Sequence, residues 1–211
     1  MVATDETAGR LTEAALALAS AGGWRSLSLV EVAQRAGVPL VDCYRAVPDK
    51  SALLGLLLAD TDAFMLRDGA ADPADAPRDR LFDVMMRRFD GLQARRAGMV
   101  AVVHGLRSDP VAAARLAPRL ARSLAWMLQT AGFSTAGLGG AVRLKALAAV
   151  YLYALRAWVD DETADMARTM AALDRALRRA ESLAGMLPGR KDRRRAAGAA
   201  GGHAADGASP A

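Results

Sequence analysis

The sequence has 211 residues, of which 53% are hydrophobic and 24% are charged, with a formal net charge of +5. These values predict a chain with a sizeable core and exclude a mostly disordered protein. A single cysteine, Cys43, excludes an intrachain disulfide and favours a reducing compartment. The start, MVATDETAGR, does not resemble a signal peptide. The most apolar stretch, residues 146–155, is shorter than the roughly 20 residues that span a membrane. We therefore expect a cytoplasmic protein without an integral membrane segment.

Helix is predicted for almost every segment, because Ala, Leu, Arg and Met dominate and sustained polar–apolar alternation is missing. Residues 1–8 are expected to be a flexible N-terminus. Ser28 and Glu31 have the spacing of a capping box, and Gly37 suits the helix end that follows. Helices are expected over residues 10–21, 28–36, 39–46 and 50–66. The first three form a helix-turn-helix module, whose third helix would enter a major groove of DNA.

The segment RDGAADPADAP, residues 67–77, is predicted to be a linker, because it combines Gly, Pro and Asp with few large apolar residues. A second unit, residues 78–187, is expected to form a helical bundle. Its helices are predicted over residues 78–95, 98–107, 110–131, 137–158 and 163–184. Pro118 should kink or split the third of these. The Gly/Ala-rich basic segment 188–211 is predicted to be a disordered tail.

Residues 26–54, SLSLVEVAQRAGVPLVDCYRAVPDKSALL, resemble the DNA-binding segment of the TetR family. The matching residues are Ser28, Val32, Ala33, Ala36, Gly37, Val38, Tyr44, Lys50, Leu53 and Leu54. The resemblance implies an all-α, TetR-like fold: a helix-turn-helix domain with its connecting helix over residues 9–66, and a ligand-binding and dimerisation bundle behind it. It also implies a homodimeric transcriptional regulator, a repressor that binds operator DNA and responds to a small apolar ligand.

The resemblance implies that Ser28, Tyr44 and Lys50 hold DNA phosphates, and Arg45 is well placed to do the same. The recognition helix departs from the family, because it begins with the segment Pro39-Leu40-Val41-Asp42 where the family has small and polar residues. Leucine and valine can touch a thymine methyl group, and Asp42 can accept a hydrogen bond from cytosine.

The charge of this module does not favour nucleic acid, because residues 9–60 hold five basic and five acidic side chains. Two interpretations stay open. Either the module binds specific DNA, or Leu40, Val41 and Val47 pack its interior and DNA binding has been lost.

Residues 123–177 are similar to the lipid-binding accessory proteins of ubiquinone biosynthesis, which share the TetR fold and present lipids. The matching residues are Trp126, Ala131, Gly132, Lys145, Val150, Tyr151, Asp160, Asp161, Thr169, Leu173, Asp174 and Arg175. This resemblance implies an alternative function: a lipid or isoprenoid carrier with a degenerate helix-turn-helix. The membrane-touching amphipathic helix of that family has no counterpart in the basic C-terminal segment.

Wide apolar faces on the bundle helices predict an enclosed cavity for a small apolar ligand. Its expected lining is Met85, Phe89, Val103, Leu106, Leu124, Met127, Leu128 and Tyr151. The last helix carries apolar residues at spacings of 4, 3, 4, 3 and 4, a pattern that forms a seam against another helix. The expected dimer interface comprises Leu147, Met166, Met170, Leu173 and Leu177, with core packing inside one protomer as the alternative.

No known catalytic motif occurs in the sequence, so we expect neither enzymatic activity nor a cofactor. A zinc site is not expected, because the chain has one cysteine and two histidines. The acidic segment 160–165 is typical of a helix N-terminus rather than of a metal site. Cys43 is expected to be a small core residue and not a redox sensor.

Overall fold

A computed structural model describes the backbone of residues 2–186 and the side chains of residues 6–183, and this part of the chain is built from helices alone. The helices are α1 (Val2–Gly22), α2 (Leu29–Ala36), α3 (Leu40–Ala46), α4 (Lys50–Leu66), α5 (Pro77–Gln93), α6 (Arg96–Arg107), α7 (Pro110–Thr130), α8 (Gly137–Val159) and α9 (Ala167–Met186). The predicted all-α class is confirmed. The prediction of a disordered tail over residues 188–211 lies outside the described residues.

Three expectations about individual segments differ from the structure. Residues 2–8, expected to be flexible, belong to α1. Pro118 does not split α7, which continues from Pro110 to Thr130, whereas a kink at Pro118 stays a prediction. The last helix begins at Ala167 rather than near residue 163, because Thr163 and the residues around it form a turn organised by Asp161.

The N-terminal module, α1 to α3, is closed by side-chain contacts to backbone groups at its turns. The Ser28 hydroxyl accepts a hydrogen bond from Glu31 N at 3.2 Å, and Ser28 N donates to Glu31 Oε2 at 3.1 Å, so the predicted capping box is present. Gly37 ends α2 with a φ of 60°, a conformation that favours glycine. Arg10 of α1 donates to Ala36 O and Gly37 O. Its guanidinium therefore satisfies the last carbonyls of α2 and fixes the turn before α3.

The N-terminal module packs against the bundle through one unusually close helix contact. Gly98 and Gly105 of α6 lie against α1 and the loop that follows it. A methyl group on Gly98 would lie 2.7 Å from Leu16 O, and one on Gly105 would lie 2.8 Å from Trp24 Cβ. Only glycine therefore fits at either position. Arg95, just before α6, adds ion pairs to Glu13 at 3.2 Å and Asp60 at 3.3 Å.

The bundle core lies between α5, α7, α8 and α9. Its largest fully buried side chains include Met85, Phe89, Met127, Trp158 and Leu173. The rings of Phe89 and Tyr151 stack with centroids 5.9 Å apart. Arg96 donates to the carbonyls of Trp158 and Val159. This arginine caps the C-terminus of α8, where backbone acceptors lack partners within the helix.

Asp161 organises the turn between α8 and α9. Its fully buried carboxylate accepts from the backbone N–H and the hydroxyl of both Thr163 and Thr169. Burial alone would raise the pKa of Asp161, but these four hydrogen bonds outweigh it and lower the pKa to about 2. The carboxylate stays ionised and holds the first turn of α9 in place.

We expect Gly98→Ala to destabilise the protein by about 1–3 kcal/mol, because the new methyl group meets the backbone of Leu16. Gly9→Ala is the matched control: Gly9 also lies within a helix, with open space around its Cβ position. Alanine there should stabilise the helix by about 0.5–1 kcal/mol. Urea unfolding of the two variants measures both effects. Equal changes would contradict the close contact.

We expect Asp161→Asn to destabilise the protein by about 2–3 kcal/mol at pH 7, the value of a carboxyl pKa lowered by about two units. Because this pKa is lowered on folding, the stabilisation is present above about pH 4 and is lost as the pH falls towards 2. The difference between wild type and variant in urea unfolding should therefore shrink from pH 7 to pH 3. A difference independent of pH would show that the carboxylate charge contributes nothing.

Candidate functional site

The outer face of α3 carries apolar side chains in contact with solvent. Leu40 is 56% exposed, Val41 is 55% exposed and Tyr44 is 68% exposed, and Pro39 before them is exposed as well. Cys43 and Val47 point the other way and are buried in the module core. The interpretation that Leu40 and Val41 pack the interior is therefore wrong, whereas it holds for Val47.

The two charged residues of α3 neutralise each other. Arg45 Nη1 lies 3.3 Å from Asp42 Oδ1, one helical turn apart, and the two side chains are 73% and 47% exposed. An exposed pair of this kind contributes little to stability. The same pair lowers the net positive charge that the helix offers to a phosphate. Arg45, the main cation of this face, is therefore partly neutralised by Asp42.

Lys50 does not lie where the sequence placed it. Its Nζ donates to Trp24 O at 2.9 Å and to Arg25 O at 3.2 Å, and it lies 5.4 Å from the Trp24 ring centroid. Burial lowers the pKa of Lys50, although nearby Asp109 opposes the shift. We correct its predicted role from a phosphate ligand to a support of the α1–α2 loop. Sequence reasoning missed this because loop carbonyls leave no signal in a residue pattern.

Ser28 and Tyr44 keep groups that can bind a phosphate. Ser28 is exposed, and its oxygen accepts the capping hydrogen bond, so its hydroxyl hydrogen is still able to donate. The Tyr44 ring is exposed beside Leu40 and Val41. A phenol hydroxyl donates to phosphate oxygens, and apolar neighbours contact sugar or thymine methyl groups. The face can therefore contact DNA mostly through hydroxyl groups and apolar surface.

A cavity of about 460 Å³ lies between α4, α5, α6, α7 and α8. Most of its lining is aliphatic, from Leu54, Leu57 and Leu58 of α4, Met99 and Val102 of α6, and Leu116 and Leu120 of α7. The volume falls within the roughly 300–1,000 Å³ of small-molecule sites. The exposed side chains of Leu152, Arg107 and Arg156 lie at its rim.

Three of the residues predicted for a ligand pocket lie in the wall of this cavity. Val103, Leu106 and Tyr151 line the cavity. The other predicted residues are Met85, Phe89, Leu124 and Met127, which pack the bundle core, and Leu128, which lines a second pocket beside α9. Residues from α4 were missed, because a stripe of leucines does not show whether it faces packed side chains or a space. Arg88, also missed, lines the cavity although it is fully buried.

The residues predicted for a dimer interface pack inside the protomer instead. Leu147, Met166, Leu173 and Leu177 are buried, and Met170 is half-buried. The spacing identified a real seam, but the seam joins α9 to its own bundle. The opposite face of α8 carries the exposed apolar residues Leu138, Val142, Leu152 and Tyr153.

Helix α8 is also the only helix in the described part of the chain that is long and apolar enough to cross a membrane, with a mean hydropathy of 1.4. The expectation from residues 146–155 underestimated its length. Core helices of soluble proteins meet the same criterion, so this property is weak evidence for a span.

Between residues 6 and 183, no group of three or more His, Cys, Asp or Glu side chains lies close enough together to hold a metal ion. Of the predicted acidic segment, Asp161 serves the turn before α9, as described above. Burial raises the pKa of Cys43, which keeps the thiol protonated and unreactive.

No protein-family model matches the sequence, and no curated protein matches it either. Solved structures do match. A TetR transcriptional regulator from Nitrosomonas europaea ATCC 19718 is 19% identical, with a TM-score of 0.67 over 82% of this chain and 97% of that chain. A TetR transcriptional regulator from Rhodococcus sp. RHA1 is 23% identical, with a TM-score of 0.63 over 83% and 96%. The chain has the TetR fold.

A third similar structure, a transcriptional regulator from Rhodococcus sp. Rha1, is 20% identical, with a TM-score of 0.52 over 81% of this chain and 93% of that chain. The fold expected from residues 26–54 is confirmed. The second resemblance, over residues 123–177, stays a prediction.

Proposed function

We propose that this protein is a TetR-type transcriptional regulator, a cytoplasmic homodimeric repressor that binds operator DNA through α3 and leaves it when a small apolar ligand occupies the bundle. It is not an enzyme and needs no cofactor. The observation that carries the proposal is the position of α6. Met99 and Val102 of this helix line the cavity, while Gly98 and Gly105 on its adjacent face touch the N-terminal module.

Such a helix can transmit occupancy of the cavity to the module. A ligand that fits only when the cavity widens displaces α4 or α6, because both contribute side chains to the lining. The contact at Gly98 leaves no space for α6 to move without moving α1. Binding therefore favours one arrangement of the module over another, which is the requirement for coupling between two sites.

The recognition face supports DNA binding by shape and apolar contact. Leu40 and Val41 remain in solvent despite the cost of exposing large apolar residues, which is typical of a surface that meets a partner. In a homodimer, two α3 helices would enter major grooves about one helical turn apart. Tyr44 and Ser28 would hold phosphates on either side of the groove.

The exposed face of α8 supports homodimerisation. Leu138, Val142, Ala149 and Tyr153 recur at helical spacing along one stripe, with Lys145 among them. A matching stripe from a second copy would bury it by two-fold symmetry. Leu152 and Arg156 belong both to this side of α8 and to the cavity rim, so a partner protomer would lie beside the cavity entrance.

The alternative, a lipid or isoprenoid carrier without DNA recognition, is favoured by one observation: Arg45 is paired with Asp42 on α3. Both functions would use the cavity, so DNA decides between them. Genome-wide recovery of DNA bound to the protein should yield a palindromic site near a regulated gene. The affinity of the protein for that site should fall steeply as the salt concentration rises. Equal binding to the recovered site and to random DNA would support the carrier instead.

We expect Tyr44→Phe to weaken binding to specific and random DNA alike by about fivefold, the value of one hydrogen bond. Asp42→Asn should raise affinity for random DNA, because Arg45 becomes available to a phosphate. The slope of the logarithm of the binding constant against the logarithm of the salt concentration should become steeper by about one. Fluorescence anisotropy measures both effects. Glu162→Gln, an exposed acid far along the chain from α3, controls for net charge and should change neither. Unchanged affinities for both α3 variants would contradict the assigned interface.

We expect Val142→Asp to raise the dimer dissociation constant at least about 30-fold, as loss of a central interface residue does. Val142 is 51% exposed in the protomer, so the variant should still fold. Val111→Asp is the matched control, since Val111 is 60% exposed on α7, away from the stripe. Sedimentation equilibrium measures both constants. An equal effect of the two substitutions would place the interface elsewhere.

A further inference from the structure

Arg88 of α5 is a buried cation with two nitrogen atoms that make no hydrogen bond. Its side chain is fully buried, and Nη1 pairs with Asp62 of α4. Asp62 also accepts from the Ser123 hydroxyl of α7. Nε and Nη2 of Arg88 have no hydrogen-bond partner. Buried polar groups in proteins nearly always have one, so this free edge of the guanidinium calls for an explanation.

The Arg88 side chain lies in the wall of the cavity. Arg88 is one of its lining residues, together with Thr61, Leu92 and Tyr151. The guanidinium carbon lies 5.3 Å from the Tyr151 ring centroid, and the Tyr151 hydroxyl also interacts electrostatically with the guanidinium. Arg107 and Arg156 differ from Arg88, because their side chains are exposed at the rim, where water satisfies them. The polar group that would orient a ligand inside this apolar space is therefore Arg88.

We infer that the cavity takes an apolar molecule ending in a neutral carbonyl oxygen, inserted so that this oxygen accepts from Nε and Nη2 of Arg88. This inference rests on the proposed function only in using the same cavity as the ligand site. A single carbonyl oxygen can accept from Nε–H and from one N–H of Nη2 at once. Asp62 already balances the charge of Arg88. A carboxylate at the same place would bury an additional uncompensated negative charge, which is unfavourable.

Three compounds with the same heptyl chain test the inference: methyl heptyl ketone, its analogue with C=CH₂ in place of C=O, and octanoate. The affinity of each compound is measured by its ability to displace a neutral fluorescent naphthylamine from the full-length protein. No DNA is present in this assay. The ketone should bind at least about tenfold more tightly than the methylene analogue, because only the ketone satisfies the buried donors. Octanoate should bind more weakly than the ketone.

In Arg88→Lys the ketone and the methylene analogue should bind with about equal affinity. Lysine keeps a charge beside Asp62 but lacks the two-donor edge. Arg107→Lys, at the rim, is the matched control and should leave the preference unchanged. If Arg88→Lys does not fold, the double variant Arg88→Met with Asp62→Leu removes the buried pair as a unit, which proteins commonly tolerate. It should bind both neutral compounds equally.

Equal binding of the ketone and the methylene analogue to the wild-type protein would overturn the inference, and so would failure of both to bind. Tightest binding by octanoate, lost on Arg107→Ala or Arg156→Ala, would overturn it by placing the polar end at the rim. These results are independent of DNA binding. A protein that selects the ketone but no DNA sequence would refute the proposed regulator while leaving the ligand assignment intact.

Discussion

The contact between α6 and the N-terminal module determines how the two parts of this protein act on each other. Helices normally pack 8–10 Å apart, with side chains filling the space between them. At Gly98 and Gly105 no such space remains. The backbone of Leu16 and the side chain of Trp24 lie where a side chain at these positions would be. Two surfaces in such contact cannot slide independently, because packed interiors have discrete arrangements rather than continuous ones. A displacement of α6 is therefore also a displacement of α1, and through the Arg10 contacts it reaches the turn before α3.

The ion pair between Arg88 and Asp62 connects three helices of the bundle side of the protein, α4, α5 and α7. It joins α5 to α4, and the Ser123 hydroxyl adds α7 to the same group. Replacing one member of a buried pair leaves an isolated charge, so the pair fixes the position of α4 strongly. Helix α4 then follows directly from α3 after three residues. The cavity is thus bounded by the two helices, α4 and α6, that contact or lead into the module containing α3.

The sequence predicted the features that depend on local rules, and failed where distant parts of the chain decide. The capping box at Ser28 and the turn at Gly37 follow from the conformations that these residue types adopt, and both are present. The seam containing Leu173 was identified correctly as a helix contact, yet a 3–4 spacing is the same whether the neighbouring helix is intramolecular or belongs to another copy. Lys50 was misplaced because its partners are the carbonyls of Trp24 and Arg25, which any residue could supply. Arg88 lies among apolar residues of α5, where its spacing alone predicts nothing about a free donor edge.

A recognition helix with little net charge is compatible with DNA binding when affinity and specificity come from different groups. Phosphate contacts supply most of the affinity and its salt dependence, whereas base contacts distinguish sequences. On α3 the exposed Leu40 and Val41 offer contacts to thymine methyl groups, and the Tyr44 hydroxyl offers a phosphate contact without a formal charge. In the proposed complex, the pairing of Arg45 with Asp42 would reduce attraction to DNA in general and leave these contacts unchanged. Such a helix gives up non-specific affinity, so the ratio of specific to random binding can remain high although each constant is weak.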